Sequence, residues 1–258
     1  MSKENITNRK AQKIILLVEN ADKQKGLAFI AHGLGGFKEE PHIATIGESF
    51  KEKGITVVRF DTTNTFGESD GAYEDATVTN YYEDLEDVIS WSREQSWYRQ
   101  PFYLAGHSLG GLSTLLYAEN HPADIKGVAS LSAIISGKMS AEVLGEEYIA
   151  EWEKAGIIEE ENASLPGVMK RLQWNHMIDR LQYDVLPRSD QLTMPILLIV
   201  GDRDRLVPVE HQQIFYQQLP GDRELHIIEN ALHTPRDSSH LSEIKEIFSR
   251  WIDKMERG

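Results

Sequence analysis

Cysteine is absent from the 258 residues, which excludes a disulfide framework, a thiolate-bound zinc and a cysteine nucleophile together. Basic residues are scarce beside acidic ones, 27 against 41, and the net charge is -14. A surface that negative repels polyanions, so neither nucleic acid nor an anionic membrane face is an expected partner. Long apolar runs are missing too. The longest aliphatic stretches, Ile14–Val18 and Ile196–Val200, are strand-sized and far short of the roughly 20 residues of a membrane-spanning helix. Met1 to Lys13 is polar, without the apolar stretch of a signal peptide. Only 9 prolines, with 40% hydrophobic and 26% charged residues, exclude a disordered or collagenous chain. These absences lead us to expect a soluble, intracellular protein; we further expect it to be cytoplasmic, a monomer or homodimer, with a small molecule as its partner.

What is present is an alternation of short apolar strands and amphipathic helices. Strands are predicted at Lys13–Val18, Leu27–Ala31, Thr56–Phe60, Phe102–Ala105, Gly127–Leu131, Pro195–Val200 and Glu224–Ile228. Several are unbroken apolar runs, as expected where helices cover both faces of a sheet. Helices are predicted at Pro41–Lys53, Val78–Gln95, Leu109–Glu119, Val209–Gln218 and Leu241–Met255. The alternation implies right-handed crossovers and a mostly parallel sheet, hence an α/β fold. Between Ile134 and Gln191 no core-type strand is visible. Helical patterns at Ala141–Ala155 and Val168–Leu181 are separated by the charged run Glu159–Glu161, read as a solvated turn, and by Leu165-Pro166-Gly167. We read residues 134–190 as a lid inserted into a core of 1–133 and 191–258, over the sheet edge where open α/β sheets bind ligands.

The segment Gly106-His107-Ser108-Leu109-Gly110-Gly111 follows one strand and opens a helix. Gly-x-Ser-x-Gly alone is weak, but strand, sharp turn and helix is the context it requires. A serine there takes strained backbone angles, exposes its hydroxyl and stands at a helix N-terminus that favours negative charge. The plain alternative is an ordinary turn with Ser108 as helix cap. A serine hydroxyl needs a base, and the base needs an orienting acid. Later strand ends supply both: Gly201-Asp202-Arg203-Asp204 and Asn230-Ala231-Leu232-His233. Among nine histidines, His233 is the best placed, with His240 its main rival; His32 and His107 sit in glycine-rich turns and are read as shaping backbone. Asp204, farther out in its loop, is preferred to Asp202, which can brace the turn. Backbone N–H groups of Leu109 and Leu34, the latter in His32-Gly33-Leu34-Gly35-Gly36, are the candidate oxyanion donors. A phosphate loop is disfavoured, because Lys38 stands where the last glycine of Gly-x-Gly-x-x-Gly belongs.

His32-Gly33, Gly106 to Gly111, Gly201-x-x-Asp204-x-x-Val207-Pro208 and His233-Thr234-Pro235 resemble the α/β-hydrolase superfamily over about residues 11–256. Glu39-Glu40-Pro41, Arg59-Phe60-Asp61 and a compact lid resemble its bacterial feruloyl/cinnamoyl esterases and serine-aminopeptidase-like members. The resemblance implies an eight-stranded, mostly parallel sheet, catalytic Ser108, Asp204 and His233, and no metal or organic cofactor. The stretch Asp61 to Gly71 departs from the usual Asp-x-x-Gly-x-Gly-x-Ser-x-Gly by one residue and a missing glycine, which affects pocket shape. Phe37, Trp152, Trp174, His176, Met177 and Tyr183 are candidates to wall an acyl or aromatic pocket, or else form the lid's own core. The expected activity is carboxylic-ester hydrolysis through an acyl-enzyme. Thioester, amide or peptide cleavage is the alternative, in which Glu147, Glu151 or Glu153 would grip a substrate amine; a non-catalytic binder of the same fold is a third.

Overall fold

A computed structural model describes residues 1–162 and 167–257. Leu165 and Pro166, part of the expected break in the 134–190 segment, lie outside the described residues. The elements run β1 (Ser2–Thr7), β2 (Lys13–Glu19), β3 (Gly26–Ala31), α1 (Pro41–Glu52), β4 (Ile55–Phe60), α2 (Val78–Ser92), β5 (Phe102–His107), α3 (Ser108–Asn120) and β6 (Ile125–Leu131). Then follow α4 (Gly137–Leu144), α5 (Glu146–Ala155), β7 (Ile157–Glu161), β8 (Met169–Gln173), α6 (Asn175–Arg180), β9 (Ile196–Gly201), α7 (Val209–Gln218), β10 (Arg223–Ile228) and α8 (Ser238–Met255). Eight strands form one sheet in the order β1-β2-β4-β3-β5-β6-β9-β10. The six from β4 to β10 are parallel, while β2 runs antiparallel to both β1 and β4.

Side chains on successive strand residues point to opposite faces, and here both faces are dry. Leu27, Phe29 and Ala31 join one core with residues of α2, α3 and α7. Ala28 and Ile30 join the other with Ile43, Ile46 and Phe50 of α1 and Ile244, Phe248 and Trp251 of α8. Full burial of each such aliphatic or aromatic side chain contributes about 1.5–3 kcal/mol. That is why six of the seven predicted runs are inner strands, with ends shifted by a residue or two, while Glu224–Ile228 forms the half-buried edge strand β10.

One strand is additional to those expected, and three expectations are corrected. Ser2–Thr7 is an edge strand, although its sequence is polar; only Ile6 is buried, and backbone pairing with Ile14 through Val18 carries it. The pattern Ala141–Ala155 is two helices broken at Gly145, whose φ is +86°. Val168–Leu181 is not one helix: Met169–Gln173 pairs antiparallel with Ile157–Glu161, and only Asn175–Arg180 is helical. Glu159–Glu161 is accordingly exposed strand, not turn. Met, Lys, Arg, Leu and Gln are good helix formers, but tertiary pairing overrides weak propensities. Trp152 Nε1–H donates to the Leu172 carbonyl at 3.1 Å, fastening the hairpin to α5. No helix among the described residues is long and apolar enough to cross a membrane.

Candidate active site

Strand β5 delivers Ser108 to the carboxyl end of the sheet, with φ of 52°, a left-handed conformation that costs a non-glycine residue of order 1–3 kcal/mol. The surrounding glycines are required by contact. A Cβ on Gly106 would lie 2.6 Å from the Gly110 carbonyl carbon, and one on Gly110 would lie 2.3 Å from the His32 carbonyl oxygen. With neither present, α3 packs directly on β5 and β3, and its first N–H groups, that of Leu109 included, lack helical partners.

Ser108 Oγ lies 2.9 Å from His233 Nε2, and His233 Nδ1 lies 2.8 Å from Asp204 Oδ2. The second oxygen of Asp204 accepts the N–H groups of Leu206 and Val207, each at 2.9 Å. Burial alone would raise the Asp204 pKa, but the hydrogen bond and charge of His233 and the Val207 N–H hold it below the usual carboxylate value. The ionised acid therefore keeps Nδ1 protonated and leaves Nε2 to accept the serine proton. The loops after β9 and β10 are locked together, since Arg203 N–H donates to the Ala231 carbonyl at 3.1 Å. Asp202 is exposed. His240 faces Asp237 at 3.6 Å and stands outside this chain of contacts.

Beside Ser108 the loop after β3 is pinned from beneath. His32 Nδ1–H donates to the Gly33 carbonyl at 2.8 Å, while its Nε2 accepts the Thr62 N–H at 3.1 Å. The Tyr81 hydroxyl donates to the same carbonyl at 3.2 Å and accepts the Gly35 N–H at 3.0 Å. These four bonds fix the peptides on either side of Leu34, which lines the cavity in front of Ser108. His107 Nε2–H donates to the His233 carbonyl at 2.8 Å, so this ring braces the loop that carries the neighbouring imidazole. Desolvation pushes the pKa of His32 down, that of His107 far down, and that of His42, whose ring packs edge-on to His107, to about 3. All three are neutral at physiological pH.

The cavity has a volume of about 310 Å³ and is lined by Ser108, His233, the Gly33–Gly36 loop and, from the 134–190 segment, Leu144, Tyr148, Trp152, Leu172 and Arg180 among others. Of the side chains expected to wall it, Trp152 does so. Trp174 and His176 stand behind it, with ring centroids 5.5 and 6.3 Å from that of Trp152. Met177 is fully buried, Tyr183 is hydrogen-bonded to Thr79 at 2.6 Å, and Phe37 is half-buried outside the lining. Trp174, His176, Met177 and Tyr183 fill space behind the wall because helix α6 and its flanks turn them inward, and Phe37 lies in the loop after β3. Glu147, Glu151 and Glu153 are exposed on α5 and do not line the cavity. Tyr73, Tyr148 and Arg180 line it without having been singled out in the sequence; the only signal for Arg180 was its i, i+4 spacing from His176, which puts both on one helix face. Among the described residues no group of three or more histidine, aspartate or glutamate side chains is arranged to hold a metal ion.

Comparison with known proteins agrees with this architecture. The thermostable monoacylglycerol lipase of Bacillus sp. (strain H-257) is 25% identical over 214 residues, 77% of this chain and 80% of the lipase. Est1E from Butyrivibrio proteoclasticus, solved with ferulic acid bound, superimposes with a TM-score of 0.85 at 24% identity over the full length of both chains. The monoacylglycerol lipase of Paleococcus ferrophilus gives a TM-score of 0.74 at 20% identity, over 94% of this chain and 99% of that one. The model of the serine aminopeptidase S33 family matches residues 22–157 and 159–236, the span that contains the strand-end loops just described. The chain belongs to that family of α/β hydrolases and is a hydrolytic enzyme.

Proposed function

We propose that this enzyme hydrolyses carboxylic esters through an acyl-enzyme, with Ser108 as nucleophile, His233 as general base and then acid, and Asp204 as the group that orients His233. The observation that carries the reading is the unbroken line of contacts, 2.9 and 2.8 Å, from a serine hydroxyl through an imidazole to a buried carboxylate. In the first step Ser108 Oγ adds to the ester carbonyl while its proton passes to His233 Nε2. The oxyanion is held by the N–H groups of Leu34 and Leu109, donors aimed where charge develops. Collapse expels the alcohol, which takes the proton from His233. Water, deprotonated by the same nitrogen, then releases the acid and regenerates Ser108.

Residues 134–190 act in this reading as a lid that limits substrates to small or medium acyl and aromatic esters, with Trp152 and Leu172 as apolar wall. Ester chemistry is favoured over peptide cleavage because the acidic side chains of α5 that would grip an amine lie outside the cavity, while of the two acids that line it Glu160 is engaged by Lys170 and Tyr148 and Glu40 faces His42. The reading also expects a cytoplasmic enzyme that needs no cofactor. The test is a panel of matched oxygen esters, thioesters and aminoacyl amides, assayed with the native enzyme and with Ser108→Ala. The expected result is fastest turnover of the esters and none above background in the variant. Equal ester turnover by both proteins would defeat the assignment.

A further inference from the structure

Arg180 ends α6, lines the cavity that holds Ser108, and is only 8% exposed. Its guanidinium is held by neutral groups. Nε and Nη2 donate to His176 Nε2 at 3.1 and 2.6 Å, and Nη1 donates to Ser140 Oγ at 3.0 Å. His176 in turn donates its Nδ1–H to the Ala76 carbonyl at 2.8 Å, which makes Nε2 the accepting nitrogen. Burial, with the Arg180 charge beside it, pushes the His176 pKa well down, so the ring carries no charge of its own.

No carboxylate comes within 4.0 Å of this guanidinium among the described residues, and residues 163–166, Ala-Ser-Leu-Pro, carry no acidic side chain. Two acids share the lining, and neither comes within 4.0 Å of Arg180: Glu160 is engaged by Lys170 at 3.7 Å and by the Tyr148 hydroxyl at 2.8 Å, and Glu40 faces His42 at 3.8 Å. Tyr73 and Tyr148 have pKa values raised by burial, the latter to about 12, so neither supplies an anion. Desolvation lowers the pKa of Arg180 only to about 10, and the group remains a cation at neutral pH. A buried cation is costly unless an anion faces it. In a chain with 41 acidic residues, leaving this one unpaired is a specific arrangement.

Placement is rigid as well. A Cβ on Gly137 would meet the Arg180 carbonyl oxygen at 1.9 Å, and Gly137 N–H donates to the Tyr183 carbonyl at 2.8 Å. The start of α4 is thereby clamped to the end of α6. Of the five guanidinium N–H groups, three have the partners named above, which leaves one on Nη1 and one on Nη2 to bond a carboxylate.

We propose that Arg180 recognises a free carboxylate carried by the substrate, so that the preferred compounds are esters retaining one ionised carboxyl group, such as half-esters of dicarboxylic acids. One negative charge matches the guanidinium that faces no carboxylate, the other cations of the lining being Lys170, which faces Glu160 at 3.7 Å, and Arg236, and the apolar walls of Leu144, Trp152 and Leu172 suit the carbon chain between carboxylate and ester. The proposal rests on the ester-hydrolase reading for its substrate, but its test does not depend on turnover.

Binding of monomethyl adipate, suberate and sebacate, each beside its dimethyl ester, is measured calorimetrically on Ser108→Ala. The best half-ester is expected to bind about 10- to 100-fold more tightly than its diester, the range for hydrogen bonds to a charged group. Adding Arg180→Gln to that variant removes the preference, while Arg180→Lys, a point charge without the fork, restores part of it. Equal affinity for half-ester and diester, or no binding of any half-ester, overturns the proposal, even where Arg180→Gln does not fold. A preference that survives Arg180→Gln with an unchanged melting temperature overturns it too. Native enzyme that turns over neither compound, while the binding preference persists, would instead count against the hydrolase reading alone.

Discussion

Ser108, Asp204 and His233 stand on turns at the ends of three strands of one eight-stranded sheet, whereas Trp152, Leu172 and Arg180 stand on short helices and a two-stranded hairpin outside it. The first group is held by backbone: glycines at 106 and 110 sit where a Cβ would fall 2.3–2.6 Å from main-chain atoms, and the loops after β9 and β10 bond directly to each other. The second group is held largely by side chains, such as the Trp152 indole on the Leu172 carbonyl and the Arg180 fork on His176, with the close approach of Gly137 to the Arg180 carbonyl as the backbone contact beside them. Backbone-held geometry tolerates little substitution and, in the proposed mechanism, sets the reaction. Side-chain-held geometry can be remodelled without disturbing the sheet, and in the proposed mechanism it sets which substrate is taken.

The comparison breaks if changes at the two places have the same character. The largest effect is expected from Ser108→Ala, a loss of about 10⁶-fold in kcat on the preferred ester with the melting temperature unchanged; losing members of such a unit together costs little more than losing one. Asp204→Asn should cost about 10⁴-fold, because the wrong tautomer of His233 is then favoured, whereas Asp202→Asn, exposed and outside the contact chain, should leave kcat within about 2-fold. Their steady-state rates on one ester check both. Gly110→Ala, whose added methyl would meet the Ala31 and His32 carbonyl oxygens at 2.5 and 2.3 Å, should destabilise the fold by about 1–3 kcal/mol in denaturant titration. In contrast, Trp152→Phe should raise KM for bulky esters several-fold and leave kcat for small ones nearly intact.

A smaller effect sharpens the same contrast through pH. His32, His42 and His107 are buried beneath the reacting corner with lowered pKa values, about 3 for His42. Each folded value lies below the ordinary 6.5, so the unfolded chain takes up protons first as the pH drops. The stability these neutral rings confer is present above pH 6.5 and is lost on acidification; for His42 the loss runs from pH 6.5 toward 3. Between those limits His42 should contribute about 1.4 kcal/mol per pH unit. Both nitrogens of His42 are buried without a hydrogen-bond partner among the described residues. His42→Leu should therefore flatten the pH dependence of the unfolding free energy by about one proton, and an unchanged slope would refute the assignment.

The sequence was most legible where backbone rules apply. Apolar runs such as Leu27–Ala31 and Pro195–Val200 announce strands covered on both faces, because they are too short for a helix and end at polar or turn-forming residues. Gly-x-Ser-x-Gly after such a run announces a sharp turn, and the structure brings Ser108, Asp204 and His233 together. The edge strand Ser2–Thr7 was not legible, since an edge buries one side chain and leaves the rest polar. The hairpin of Ile157–Glu161 with Met169–Gln173 was hidden by residues that favour helices in isolation. The wall of the cavity was half legible: aromatic residues in the 134–190 segment marked the region, but which of them face inward depends on how α5, α6 and the hairpin pack. The same dependence concealed Arg180, whose meaning lies in the acid it lacks.

The central claim, a serine activated by His233 and Asp204, is tested most directly by a fluorophosphonate probe that reacts only with an activated hydroxyl. Incubated with the native enzyme and mapped by mass spectrometry, it should add one phosphonyl group per chain on the peptide carrying Ser108, and none to Ser108→Ala or His233→Ala. A folded native enzyme that stays unlabelled, or is labelled at another residue, would contradict the account.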